Sequence, residues 1–134
     1  MRLALVVTCL AGSLAVGLPA AGKPKGVVQV RTVTAQGGLD GEIIRRIFVR
    51  HLDEVRECYG KGLAQDSHLA GHVAVRSTIT TSGKAQACKV ASSTLASPVV
   101  EKCVVAAIAS WDFPIGNCGC ETRIRVALDF SPNG

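Results

Sequence analysis

The stretch TRIRVALDF, residues 122–130, alternates large apolar residues with charged or small ones. Because successive side chains of a β-strand point to opposite faces of the sheet, this period of two predicts a strand with one face buried and one face in water. Ile124 and Phe130 belong to the buried set, and Arg123 and Arg125 belong to the exposed set. A sheet made of such strands needs a second layer that covers its apolar face.

Three more strands are expected before this one. Residues 71–79 alternate in the same way, residues 81–83 have turn composition, and residues 84–91 return, which predicts a β-hairpin. Residues 27–33 alternate more weakly, and the glycine pair 37–38 follows them, which predicts a strand near the start of the chain.

Two segments have helical periodicity. From Gly41 to Leu63, apolar residues recur at three- and four-residue intervals behind a predicted N-cap at Asp40. A second helix is expected from Ser97-Pro98 to the stop at Phe113-Pro114. The order strand, helix, strand, strand, helix, strand predicts an α+β two-layer sandwich, with both helices on one face of a small, mainly antiparallel sheet.

The beginning of the chain has the composition of a targeting signal. Arg2 precedes an uncharged apolar run, and small residues come before Lys23, which favours a secretory signal peptide cleaved near Ala21. Two alternatives are an uncleaved membrane anchor and a lipoprotein signal ending at Cys9. Each of the three places the domain outside the cytosol, either periplasmic or secreted, or anchored in the inner membrane with the domain in the periplasm.

Length and composition predict one packed domain. The 134 residues are 48% hydrophobic and 19% charged, which excludes a disordered or collagen-like chain. The formal charge of +5 is scattered, so no nucleic-acid partner is expected, and membrane contact is expected only if the N-terminal segment stays uncleaved. The predicted division is a signal peptide or anchor over 1–21, a linker and first strand over 22–37, and one domain over 38–134.

The cysteines favour disulfides over metal or redox chemistry. Beyond Cys9 the chain has five of them, and cysteines in a small exported domain usually pair. An odd number leaves at least one thiol free or intermolecular. A zinc site that combines Cys118 and Cys120 with His68 and His72 is an alternative, although no CxxC pair supports it. The CxC pair as a thiol-redox site is another alternative.

No catalytic residue, metal or cofactor is predicted. A nucleophilic dyad of Cys58 and His51 would require a reduced cysteine, which an exported domain rarely keeps. If the final strand lies at the sheet edge, it can accept an extended peptide by strand addition, flanked by Arg123 and Arg125. The alternatives are that these arginines only protect an edge from aggregation, or that the edge mediates a homodimer.

Four groups of residues together resemble a known family. They are His51-x-x-Glu54-Val55-Arg56-x-Cys58-Tyr59, Ile79-Thr80-Thr81-Ser82-Gly83-Lys84, Val100-Glu101-Lys102-Cys103 and Trp111-Asp112-Phe113-Pro114. In this register they resemble the AgmX/PglI C-terminal domain, a relative of the TonB C-terminal domain of gliding bacteria. The resemblance covers about residues 38–131. It implies a TonB-like fold and a non-catalytic periplasmic domain that docks on envelope proteins in transport or gliding motility.

The resemblance also implies a disulfide between Cys58 and Cys103. Both lie on the apolar faces of their predicted helices, which is consistent with that pairing. A second bridge from Cys88 to Cys118 or Cys120 is the further expectation. TonB-like transducers carry a long spacer, whereas the segment 22–37 reaches only about 55 Å when fully extended, so it is not expected to cross a periplasm.

Overall fold

The computed structural model describes residues 26–116 and 118–132. The predicted signal peptide or anchor, including Cys9, lies outside the described residues. The elements are the strands β1 (Val27–Gly37), β2 (Gly71–Ile79), β3 (Ala85–Ser93) and β4 (Thr122–Ser131), and the helices α1 (Gly41–Arg50), α2 (Leu52–Gln65) and α3 (Pro98–Ser110). No helix within these described ranges is long and apolar enough to cross a membrane.

Both predicted helix starts are present. The Asp40 carboxylate accepts a hydrogen bond from the backbone N–H of Glu42 at 2.8 Å, which satisfies one of the free donors of the first turn of α1. The Ser97 hydroxyl does the same for Val100, and Pro98 occupies the first turn of α3, where its missing N–H costs nothing.

The single helix expected from Gly41 to Leu63 is divided at His51. The φ and ψ angles of His51 are −103° and 14°, so α1 ends at Arg50 and α2 begins at Leu52. The break coincides with a contact that helical periodicity does not reveal. The imidazole of His51 stacks on the ring of Trp111 with 4.3 Å between centroids, and Trp111 follows the end of α3.

The sheet has the strand order β1-β4-β2-β3, and every neighbouring pair is antiparallel. Strand β4 is therefore an interior strand, so the condition for strand addition beside Arg123 and Arg125 is not met. The connection through α3 inserts β4 between β1 and the β2–β3 hairpin, so both of its hydrogen-bonding sides are occupied. Strand addition is open only along β1 or β3.

Strand β1 is longer than predicted and contains a bulge. It pairs with β4 from Val27 to Gly37, and the register shifts between Val30 and Thr32. The extra residue reverses the alternation, because Val30 and Val33 both pack against the core while Thr32 is exposed. Strand β1 therefore belongs to the same sheet as β4, although it precedes the predicted boundary between 37 and 38.

All three helices pack on one face of the sheet, so the predicted two-layer α+β sandwich is confirmed. The core between the layers contains Phe48, Val55 and Tyr59 from the helices and Val126 and Leu128 from β4, each fully buried. The opposite face of the sheet carries no helix among the described residues. That open face presents the polar side chains of each strand to solvent.

Candidate functional site on the basic face of the sheet

A row of cations crosses three strands on the open face. Arg125 on β4 stands directly opposite Arg76 on β2, and Arg76 stands opposite Lys89 on β3. Thr34 on β1 completes the row beside Arg125. Because neighbouring strands are about 4.8 Å apart, three positive side chains are confined to about 10 Å.

A second row lies two residues along each strand. Arg123 on β4 is flanked by Gln36 on β1 and Thr78 on β2, and Gln86 on β3 follows Thr78. The amide groups of Gln36 and Gln86 and the hydroxyl group of Thr78 add hydrogen-bond donors beside the cations. We call the two rows together the basic face; its members are Thr34, Arg125, Arg76, Lys89, Gln36, Arg123, Thr78 and Gln86.

The two rows of the basic face contain no carboxylate. The four described strands contain one acidic residue, Asp129, which lies near the far end of β4 and is 3.6 Å from Arg31. Among the ion pairs of the described residues, none includes Arg76, Lys89, Arg123 or Arg125. Most members of the two rows line a shallow depression of about 440 Å³ on the open face.

This arrangement can hold an anion. An arginine guanidinium presents several N–H donors in a planar fork that matches a carboxylate, and Arg76, Arg123 and Arg125 are all exposed. Like charges placed directly opposite each other on neighbouring strands destabilise a sheet. A row of three therefore opposes folding and favours an anionic partner.

The repulsion among Arg125, Arg76 and Lys89 predicts that removal of one positive charge stabilises the isolated domain. We expect Arg125→Gln to raise the free energy of unfolding by about 0.5 kcal/mol at low ionic strength, with a smaller gain in high salt. Urea denaturation at two salt concentrations measures it. Arg31→Gln is the matched control and should not stabilise, because Arg31 faces Asp129. Destabilisation by Arg125→Gln would contradict the proposed repulsion.

The free edge of β3 borders a second surface feature. An apolar groove of about 700 Å³ runs between β3 and α3, lined by side chains that include Val90, Val105 and Ala109. The edge itself is irregular. The register with β2 shifts twice, and Ala87 adopts a positive φ of 53°. Such irregularities are typical of edges that resist pairing with another strand.

The cysteines within the described residues form two pairs. Cys58 on α2 is joined to Cys103 on α3 as expected, with 5.5 Å between Cα atoms. The expected second bridge from Cys88 is wrong, because Cys118 is joined to Cys120 and Cys88 is free. The topology separates them: Cys88 lies on the β3 edge, whereas the 118–120 loop packs on the turn that follows β1, at the other edge.

Cys88 has a partner of its own. It is half-buried, and its sulfur is 3.1 Å from the Ser77 hydroxyl on the neighbouring strand. Among the described residues, no group of three or more His, Cys, Asp or Glu side chains is placed to hold a metal ion. The alternative zinc site of Cys118, Cys120, His68 and His72 is therefore not assembled.

The residues that carry the family resemblance converge on a structural cluster. The indole N–H of Trp111 donates to Glu54 at 2.8 Å, and the other Glu54 oxygen is 2.7 Å from Nδ1 of His51. The hydrogen bond from Trp111 and the one with His51 lower the pKa of Glu54. This contribution to stability is present above the ordinary pKa of a glutamate and is lost as the pH falls through the lowered value.

The hairpin turn and the segment after α3 are joined in the same region. Phe113 donates its backbone N–H to the Gly83 carbonyl at 2.9 Å, and Lys84 forms an ion pair with Asp112. The Lys84 ammonium lowers the pKa of the Asp112 carboxyl. Gly83 has a φ of +86°, and a side chain there would begin 2.2 Å from the Phe113 carbonyl oxygen, so only glycine fits.

Sequence reasoning found two of the four cations of the basic face. Arg123 and Arg125 were identified on the polar side of the final strand, and the structure places them there. Arg76 and Lys89 were missed as site residues. The alternation of residues 71–79 did place Arg76 away from the apolar set, but only the strand order and register bring it opposite Arg125.

Comparison with family models, curated proteins and solved structures finds no match to this chain.

Proposed function

We propose that this chain is a non-catalytic, exported protein-binding module of the bacterial cell envelope, which binds an acidic segment of a partner protein on its basic face. The observation that carries this proposal is the row of Arg125, Arg76 and Lys89, held in register on three adjacent strands and without a carboxylate beside it. A partner that supplies carboxylates relieves the repulsion within the row and forms charge-assisted hydrogen bonds with it.

Export is supported by the cysteines. The described cysteines form two disulfide bridges, and such bridges persist in oxidising compartments and are rare in the cytosol. The periplasm is the compartment that agrees with the resemblance to the AgmX/PglI and TonB C-terminal domains. The same resemblance implies that the chain acts in transport or in gliding motility.

A binding role on the exposed surface agrees with the burial of the residues that carry the family resemblance. Trp111, Phe113, Cys58 and Tyr59 are buried, so they stabilise the fold and are not available to a partner. Partner choice must then depend on the exposed surface, where the basic face is the strongest charged feature of the described strands. Cys58 is bridged and 2% exposed, which also removes the nucleophile that a dyad with His51 would need.

The proposal predicts charge-selective peptide binding. A fluorescein-labelled peptide of alternating glutamate and valine should bind, and its affinity should fall as salt rises. The double variant Arg76→Gln/Arg125→Gln should weaken binding about tenfold, since two exposed ion pairs of about 0.7 kcal/mol each are lost. Fluorescence anisotropy measures both effects.

Two controls isolate the basic face. Arg46→Gln removes the same charge from an exposed position on α1 and should leave the affinity within about twofold. A peptide with lysine in place of every glutamate should not bind. Equal loss of affinity in Arg46→Gln and in the double variant would mean that net charge alone attracts the peptide, and the proposed site would be wrong.

A further inference from the structure

The bridge between Cys118 and Cys120 differs from the other one in exposure and in the length of chain that it closes. Both of its cysteines are exposed, whereas Cys58 is 2% exposed and Cys103 is half-buried between α2 and α3. The bridge lies in the loop before β4 and joins two cysteines that are two positions apart in the sequence. Cys58 and Cys103 are 45 positions apart.

Three glycines form the surroundings of this bridge. A side chain on Gly38 would begin 3.2 Å from the Cys118 sulfur and 3.4 Å from the Cys120 sulfur, so the bridge packs on the Gly38 backbone and its exposed surface lies on the other side. Gly116 packs on the backbone of Gly38, where a side chain would begin 2.7 Å away. Gly119 closes the loop with a φ of +66° and open space around it.

The exposure of the bridge makes it easier to reduce than the buried one. Exposed disulfides have more oxidising reduction potentials than bridges buried in a core. The 118–120 bridge should therefore open in a less reducing buffer than the bridge between Cys58 and Cys103. Exposed bridges are also the ones that attacking thiolates reach.

We propose that Cys118 and Cys120 form an exchange-active disulfide that oxidises a pair of thiols on a client protein. A client thiolate attacks one of the two sulfurs, the Cys118–Cys120 bond breaks, and a mixed disulfide forms while the released cysteine takes up a proton. The second client thiolate then attacks the client sulfur of the mixed disulfide. The client leaves with a disulfide, and the chain holds two thiols at 118 and 120.

This exchange consumes one bridge for each client disulfide, so it is stoichiometric and agrees with a non-catalytic module. It is separate from the proposed binding of an acidic segment and needs no residue of the basic face. The pair Cys58 and Cys103 remains oxidised throughout and serves as an internal reference. Cys88 takes no part, so it can be replaced by serine to remove a background thiol.

The first test compares the two bridges in one molecule. The oxidised full-length chain carrying Cys88→Ser is equilibrated in glutathione buffers of increasing reducing strength, alkylated with N-ethylmaleimide and digested for mass spectrometry. The proposal predicts that the peptide with Cys118 and Cys120 becomes alkylated at a ratio of reduced to oxidised glutathione at least about tenfold below that needed for Cys58 and Cys103, which corresponds to a reduction potential about 30 mV higher. Opening of both bridges at the same ratio, or of the buried pair first, would overturn it.

The second test measures transfer. A synthetic peptide with two cysteine thiols should be oxidised by the chain, and Cys118→Ser/Cys120→Ser should abolish the reaction while the far-ultraviolet circular dichroism is unchanged. When the peptide is supplied in its disulfide form, one of the reduced single variants, Cys118→Ser or Cys120→Ser, should trap a mixed disulfide that weighs the sum of both partners. Peptide oxidation at the same rate with the double variant would show that the bridge is inert.

Discussion

Replacement of Cys58 and Cys103 by alanine should lower the free energy of unfolding by about 4 kcal/mol. This is the loss expected from chain entropy for two bridged cysteines that are 45 positions apart in the sequence. Alanine is chosen because Cys58 is 2% exposed among apolar side chains, where a serine hydroxyl would add a desolvation cost. Urea denaturation of the oxidised protein and of the double variant measures the difference. Since small domains are stable by only about 5–15 kcal/mol, this variant should be close to unfolding at 37 °C.

The other disulfide provides the control for this effect. Cys118→Ala/Cys120→Ala removes a bridge of the same chemistry but with a separation of two residues, and the expected loss is about 1.5 kcal/mol. The order of the two losses is the informative result. If the variant without the 118–120 bridge were the less stable one, the disulfide between α2 and α3 would not be the main covalent constraint of the fold.

Trp111→Ala should lower the free energy of unfolding by about 3–5 kcal/mol, the usual range for the loss of a large buried aromatic ring. Trp111 is 3% exposed and packs edge-on against Phe48 with 5.1 Å between ring centroids. It also stacks on His51 and donates its indole N–H to Glu54. The substitution therefore removes the contact that joins the end of α3 to the junction of α1 and α2.

A smaller substitution at the same position separates packing from hydrogen bonding. Trp111→Phe keeps an aromatic ring against Phe48 but removes the donor to Glu54, which is part-exposed and can bind water instead. We expect it to cost less than half as much as Trp111→Ala. Denaturation curves within about 1 kcal/mol of the parent for Trp111→Ala would mean that this cluster does not hold the helices together.

Residue patterns predicted the two faces of β4 but not the strands beside it. The alternation from Thr122 to Phe130 assigned Arg123 and Arg125 to the exposed side, and the structure agrees. Whether a strand lies at an edge depends on pairings made far away along the chain, and alternation contains no information about them. The interior position of β4 therefore could not be inferred from its own residues.

The basic face was only partly predictable for the same reason. Arg76 and Arg125 are 49 positions apart in the sequence, and they meet because β2 and β4 pair in a particular register. A shift of one residue would turn one of them toward the core. Local signals were sufficient where the physics is local, as at the N-caps Asp40 and Ser97.

Cysteine pairing shows the limit of sequence reasoning most directly. The bridge between Cys58 and Cys103 was expected from the resemblance to the AgmX/PglI domain, and the apolar helix faces on which both cysteines lie were consistent with it. The pairing of Cys118 with Cys120 was not expected, because it depends on the backbone of one loop and on its packing against Gly38. Nothing in the spacing of the two residues distinguishes that pairing from one with Cys88.

The most direct test of the proposed function is a map of the bound surface. In a titration of the ¹⁵N-labelled domain with the glutamate–valine peptide, amide shifts should change on β2, β3 and β4 around Arg76, Lys89, Arg123 and Arg125. They should stay constant on α1 and α2. Shifts confined to the outer edge of β1 or β3 would indicate strand addition in place of binding to the basic face, and shifts on the helices would contradict the account.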